Sequence, residues 1–499
     1  MVCGTKGRAA SLLFALAWMP ACASGAGFGE GSTDGSSGSS GSSSAAAETT
    51  GDPPATETTV ESDPSTSTTD PTTGEDTLGE SSSSGDDTTT GADLPHPELY
   101  PTDRVHSPIT AFVADKIREV AAAPASADKN AGVFAKIGGS STASANFMQC
   151  FGDDATIQDL PAEPSLTATI ESFRVVDLEG VTAFNHESLA AMAGFTSDVL
   201  VTGMPTPVDA EVEAIKPRFA QVLVGTHDLE KDQPAQLWVF AEKMLDMVDA
   251  LTQNGVVPIL TTIPQRTDLP AKDLFVPRYN AVLRAVAQGR QIPLVDLNLA
   301  LSKLPMAGLV DNGELSVFVS ALVDRPCFFS ETALMYGYNV RNLEALRALD
   351  RARQVVVEVV PELDAPGSRL EGAGTMTDPI RIPSLPFVDL RSTADSTSDM
   401  IDNYLGACDE TKDESGPEVF YKLEVTAPID VRIMVFDRAN VDVDVHVLSK
   451  LAAENCLKRN DREITGPLPI GTYYIAVDSF AGDVPDGAAG EYAIVVMED

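Results

Sequence analysis

Gly132-Val-Phe-Ala-Lys-Ile-Gly-Gly-Ser-Ser-Thr142, running on through Ala143–Phe151, decides the fold of this chain. Val133, Phe134, Ala135 and Ile137 make a short apolar run of the kind a buried strand carries. Gly138 and Gly139 permit a sharp turn, after which the pattern predicts a helix over Ser144–Phe151. A serine at a strand-to-helix turn stands at the top of a sheet, near the positive end of a helix, where a nucleophile is useful. The same spacing also fits a plain glycine turn with a capping serine.

Outward from this turn, strands and helices alternate. Upstream, Ile109–Ala122 reads as a helix. Downstream, Asp198-Val-Leu-Val-Thr202 reads as a strand, Val208–Lys216 as a helix behind Pro207, and Phe219–Gly225 as a strand. Leu237, Phe240, Met244, Leu245, Val248 and Leu251 fall on one helical face that Gly255 closes. Val256–Ile263 is a strand with Pro258 near its start, Arg278–Gln288 a helix, Pro293–Leu297 a strand and Val340–Val355 a long closing helix. This alternation implies an α/β domain with a parallel sheet covered by helices on both faces. Gly, Pro and Ser within Asp364–Met376 then break the pattern. Beyond them Val419–Val425, Val431–Phe436, Val441–Leu448, Tyr473–Val477 and Tyr492–Val496 alternate at period two, as in a small antiparallel β-sandwich.

The ends of the chain and its charge set the compartment. With 499 residues, 34 Lys and Arg and 74 Asp and Glu, the net charge is −40, which excludes nucleic-acid binding for want of clustered cations. Lys6 and Arg8 precede an apolar run of signal-peptide length, too short to span a membrane. Met19-Pro-Ala-Cys22 resembles a bacterial lipobox with Cys22 lipidated, and Ala21-Cys-Ala23 also fits ordinary cleavage. Ser24–Asp93 contains neither Lys nor Arg and is almost wholly Gly, Ser, Thr, Asp, Glu, Pro and Ala, the composition of an extended tether. The expected organisation is therefore signal peptide 1–22, linker 23–93, α/β domain 94–362, linker 363–378 and β-sandwich 379–499. Such a protein is an outer-membrane or cell-surface lipoprotein, or a secreted one if Cys22 is not lipidated, and it is expected to be monomeric. Export makes disulfides the expected state of Cys150, Cys327, Cys408 and Cys456. Cys408 and Cys456 share the last domain and pair, which leaves Cys150 with Cys327.

Several stretches carry a family resemblance. Ile137-Gly-Gly-Ser-Ser-Thr142 resembles the first block of the SGNH (GDSL-type) hydrolases, Ile-Gly-Asp-Ser-x-Thr, with Ser140 as nucleophile and Gly139 in place of the aspartate. Val222-Leu-Val-Gly-Thr-His-Asp-Leu229 resembles their Gly-Thr-Asn-Asp block, and Val257–Pro264, Tyr279–Arg284 and Ile292–Asp296 resemble the elements that follow. The resemblance implies an SGNH-hydrolase-like (flavodoxin-like) three-layer fold over roughly His106–Leu349. In the last domain Ser415–Tyr421, Asp442–His446 and Gly471–Asp478 resemble bacterial pre-peptidase C-terminal domains. Asp442 and Asp444 there alternate as on a solvated face, calcium ligation being the other reading; no cofactor is otherwise implied.

What the family machinery implies is a serine, an Asp-x-x-His pair to deprotonate it, and oxyanion donors from the serine N–H, a glycine and an asparagine. Ser140 fills the first role, His227 stands in the asparagine position, and Gly203 or Gly194 supplies the glycine. None of the five histidines follows Leu297 inside the first domain. The Asp-x-x-His block aligns instead with Asp311-Asn-Gly-Glu314, placing Glu314 in the histidine position beside Asp311. A glutamate has an ordinary pKa of about 4.3 and is a weak base towards a hydroxyl unless its surroundings raise it. Two readings follow. One is a surface protein that binds a glycan or another surface component without hydrolysing it. The other is a serine esterase or deacetylase of altered machinery acting on extracellular O-acyl esters, with either Glu314 as base or a rearranged dyad that requires His227 within reach of Ser140.

Overall fold

A strand that must be buried on both faces needs a continuous apolar run, and Val133–Ile137 supplies one. The computed structural model describes residues 96–231, 233, 235–408, 411–480 and 488–499; Cys22, the predicted signal peptide and the predicted tether lie outside them. Strand β1 (Asn130–Gly138) pairs in parallel with β2 (Pro217–Leu223), β2 with β3 (Val257–Thr261), and β3 with β4 (Leu294–Val295), in the spatial order β1-β2-β3-β4. β1 lies at the sheet edge but is not left open. The Gly138 N–H donates to Ala190 O at 2.9 Å, Met192 N–H donates to Gly138 O at 3.2 Å, and buried Lys136 donates to Phe184 O.

Eleven helices surround this sheet among the described residues: α1 (Ala111–Ala122), α2 (Ser140–Ala143), α3 (Pro164–Arg174), α4 (Ser197–Val201), α5 (Pro207–Ile215), α6 (Thr226–Glu230), α7 (Gln236–Gln253), α8 (Pro270–Asp273), α9 (Val276–Arg290), α10 (Leu297–Leu301) and α11 (Gly337–Val356). α1, α3 and α11 cover one face, and α5, α7 and α9 the other, which makes three layers. This is the SGNH-like α/β architecture. The connections between successive parallel strands run through these helices, as right-handed crossovers require.

Two local expectations are corrected. Asp198–Thr202 is helix α4 rather than a strand. The Thr196 side chain caps its start by accepting from Val199 N–H, and the Ser197 N–H and hydroxyl both bond the Asp228 carboxylate. Those bonds fix a helical first turn that the β-branched Val199, Val201 and Thr202 would not select. The helix after the turn also opens earlier than expected, at Ser140, and ends at Ala143; Gln149–Gly152 is a separate 3₁₀ turn. Ser144 is extended, with ψ 138°, so the chain bends before Phe147 can continue the helix.

The C-terminal region holds two further sheets after a short hairpin, β5 (Val319–Ser320) with β6 (Val323–Asp324). Its strands are β7 (Ile380–Arg381), β8 (Phe387–Ser392), β9 (Glu418–Val425), β10 (Ile429–Asp437), β11 (Val443–Leu448), β12 (Cys456–Asn460), β13 (Glu463–Leu468), β14 (Gly471–Ser479) and β15 (Glu491–Glu498). One sheet runs β13-β10-β15-β8 and the other β12-β11-β14-β9-β7, antiparallel throughout except where β7 joins β9. The inner faces share a core of Val431, Ile433, Val445, Ile475, Ile494 and their neighbours. The outer face of the first sheet packs on α7 and α9. There the Trp238 ring lies 5.5 Å from Phe436 and donates to Val435 O, while Arg290 bridges Asp249 and Glu491. Val388, Leu390, Met434, Phe436 and Val495 thereby join the core of the α/β region.

Both expected disulfides are present, Cys150–Cys327 and Cys408–Cys456. Asp444 is not on a solvated face: it is buried and accepts from Arg459. Among the described residues no group of three or more His, Cys, Asp or Glu is arranged to hold a metal ion.

Candidate active site

Loops at the carboxyl ends of parallel strands converge above the sheet, and a site is expected there. β1 ends at Gly138, where an added Cβ would come within 2.0 Å of Leu223 O on β2, so only glycine allows the two strand ends to close. Ser140 follows as the first residue of α2. β2 leads through Gly225, at φ 129°, into α6, where a Cβ would press on Ile263 and Phe240. His227 and Glu230 ride on α6. The loop after β3 brings Pro264 and Arg266, and the loop at 312–315 closes the far side. Ser140, Ser141, Thr226, His227, Glu230, Arg266 and Glu314 thus line one cleft of about 70 Å³.

Three of the sequence-predicted residues are therefore brought together: Ser140, His227 and Glu314. Asp311 is not among them. It is exposed, outside the cleft lining, and no hydrogen bond joins it to Glu314 among the described residues. Glu314 itself is held by its backbone, which receives Val310 N–H at its carbonyl and donates to Asn312 Oδ1. Of the two glycines, Gly194 lies in the segment that runs along Gly138, whereas Gly203 lies beyond α4. Gly194 has φ 85°, and its N–H makes no hydrogen bond among the described residues. The Ser140 N–H is equally uncommitted.

The His227 ring is held at one edge and faces the serine turn with the other. Its Nδ1 lies 3.1 Å from Glu230 Oε2, the i,i+3 neighbour on α6. Its opposite edge faces the nucleophile turn: a Cβ on Gly139 would sit 3.5 Å from His227 Cδ2. The two replacements in the family blocks are thus spatially coupled, because a carboxylate on residue 139 would project into the volume beside the imidazole. The bond to Glu230 also selects a tautomer. With the proton on Nδ1, a neutral ring presents a bare Nε2, which accepts a proton and cannot donate to an oxyanion.

Behind these residues stands a second set that sequence reasoning did not find. Arg266 is buried, donates to Glu230 Oε1 at 2.6 Å and grips Asp268 with two parallel hydrogen bonds of 2.9 and 2.8 Å. Burial pushes the Glu230 carboxyl up, but the bonds from Arg266 and His227 outweigh it and hold that carboxyl below its usual range. Arg341, buried on α11, supports the serine turn from below by donating to Ser141 O at 2.6 Å and to Thr142 Oγ1 at 2.8 Å, with its guanidinium over the Phe147 ring. Burial lowers its pKa to about 10, which leaves it charged at neutral pH. Buried Asp228 ties α6 to α4 through Ser197, and its desolvation raises its pKa against those bonds. Glu230, Arg266 and Arg341 had no local signal: the helix that puts Glu230 three residues beyond His227 is seen only in the structure.

The GDSL-like Lipase/Acylhydrolase family matches residues 150–314, a span that holds His227 and Glu314 and begins after Ser140. No relative matches among the curated proteins. Among solved structures, a GDSL-like lipase from Bacteroides thetaiotaomicron is 13% identical, covering 48% of this chain and 99% of its own, at a TM-score of 0.27. Axe2, an acetylxylan esterase from Geobacillus stearothermophilus, is 16% identical over 32% of this chain and 69% of its own, at 0.24. The pre-peptidase C-terminal domain of a Bacillus anthracis collagenase is 15% identical over 23% of this chain and 91% of its own, at 0.16.

Proposed function

We propose that this protein, whose residues 150–314 match the GDSL-like Lipase/Acylhydrolase family, is a serine-dependent hydrolase of acyl esters in which His227, not Glu314, is the base. The observation that carries the reading is the shared cleft of Ser140 and His227, with Glu230 on the far nitrogen of the imidazole. In the first step Ser140 Oγ bonds to the acyl carbon while its proton passes to His227 Nε2. The acyl C–O bond breaks, and the departing alcohol takes that proton. Water, deprotonated by the same nitrogen, then releases the acid and restores the serine. The N–H groups of Ser140 and Gly194 are the oxyanion donors in this scheme. The acyl ester belongs to an extracytoplasmic molecule, a glycan above all, reached by a lipid-tethered protein.

A second reading, a surface protein that binds such a molecule without hydrolysing it, draws on one observation: no hydrogen bond joins the Ser140 hydroxyl to His227 or Glu314 among the described residues. Apo sites often close that bond only on binding substrate, so it does not decide between the two. Hydrolysis of p-nitrophenyl acetate and labelling by a fluorophosphonate do. Turnover and label that are both lost in Ser140→Ala support the esterase. Turnover that survives Ser140→Ala, or a wild-type protein that neither turns over nor labels, overturns it.

A further inference from the structure

Resting on Ser140 as nucleophile, we propose that Glu230 is the positioning carboxylate of a Ser140–His227–Glu230 set, with imidazole and carboxylate three residues apart on one short helix. The acid of the aligned Asp-x-x-Glu stretch is then idle: Asp311 is exposed and outside the cleft, and Glu314 lines it without contacting His227 by any hydrogen bond among the described residues.

Four observations converge on Glu230. Its Oε2 lies 3.1 Å from His227 Nδ1, the nitrogen on the far side of the ring from the serine turn. The other edge of the ring, Cδ2, is the part that meets the Cβ position of Gly139 on the serine turn, and Nε2 makes no hydrogen bond among the described residues. The second oxygen of Glu230 is taken by Arg266 at 2.6 Å, which prevents the carboxylate from rotating away. Arg266 is in turn pinned by Asp268, whose carboxylate lies where a Cβ on Gly313 would fall, 2.4 Å away. The chain Gly313 loop, Asp268, Arg266, Glu230, His227 therefore connects both walls of the cleft and ends at the imidazole. Glu230 does three things there. It keeps the proton on Nδ1, it fixes the ring plane, and it balances the positive charge that His227 acquires when it takes the serine proton.

The test uses the full chain and two substitutions, Glu230→Gln and Glu230→Asp, each checked for an unchanged melting temperature. Steady-state hydrolysis of p-nitrophenyl acetate should show kcat falling roughly 10²-fold or more in Glu230→Gln with KM nearly constant, by analogy of role with the carboxylate of a serine triad. Glu230→Asp should recover part of that loss, which a purely structural role for the side chain would not give. Nitrogen-15 spectra of the imidazole provide a readout independent of turnover: a single Nδ1–H tautomer of His227 in the wild type, and a mixture in Glu230→Gln. If the wild type is active through Ser140 and Glu230→Gln leaves both kcat and the tautomer unchanged, Glu230 is not the positioning residue although the esterase reading stands. If activity survives Ser140→Ala, the esterase reading itself fails, whatever Glu230 does.

Discussion

Replacing His446 with Phe should make the folded protein less sensitive to acid. His446 lies in β11, fully buried, with its ring stacked on Tyr404 at 3.6 Å and neither ring nitrogen hydrogen-bonded. Desolvation, and then the nearby Arg459 charge, push its pKa down from 6.5 to about 3. A group whose folded pKa is depressed binds protons more readily when unfolded, so the neutral-His contribution is complete above pH 6.5 and is lost as the pH falls towards 3. Between pH 6.5 and pH 4 this histidine alone should cost the wild type about 3 kcal/mol, at about 1.4 kcal/mol per pH unit. Phe keeps the stack on Tyr404 and removes the two unsatisfied nitrogens. The neighbouring acids Asp444, Asp478, Glu414 and Glu418 titrate in both proteins, so they cancel to first order when the two are subtracted. The assay is the urea midpoint of each protein at pH 7, 6, 5 and 4, and the quantity read is the difference between them at each pH. That difference should grow by about 3 kcal/mol towards acid. A difference that stays flat from pH 6.5 to 4 would show that His446 protonates inside the fold, and would refute the argument from burial.

Two further outcomes follow from covalent chemistry. Cys150→Ser with Cys327→Ser opens a bridge spanning 177 residues, which on the chain-entropy model costs about 5 kcal/mol, and the 48-residue Cys408–Cys456 bridge about 4 kcal/mol; urea midpoints with and without reductant measure both. Cys22→Ser should move the protein from the membrane fraction to the soluble one, and unchanged membrane association would count against lipidation.

Local periodicity was enough to identify most of the fold. The apolar run Val133–Ile137, the helical face from Leu237 to Leu251 and the period-two strands after Val419 each carry their conformation in their own residues, because burial on one face or two imposes a pattern that the chain displays. Domain membership likewise sufficed to pair four cysteines. Asp198–Thr202 marks where that logic stops. Its apolar run suits a strand, but the Asp228 carboxylate, thirty-one residues from Ser197, bonds the first turn and makes it a helix. The site divides along the same line. A turn and a block pattern singled out Ser140, His227 and Glu314, which line one cleft, whereas the short helix that joins Glu230 to His227 left no signal in the sequence reading. Tertiary structure alone decided that Asp311 stands outside the cleft, that Gly194 rather than Gly203 lies beside the turn, and that Gly139 faces the imidazole. The partnership of Glu230 with Arg266 spans 36 residues and that of Arg341 with Ser141 spans 200. A sequence shows which groups a chain owns. Which nitrogen of His227 carries its proton depends on a carboxylate that only the packed loops hold still.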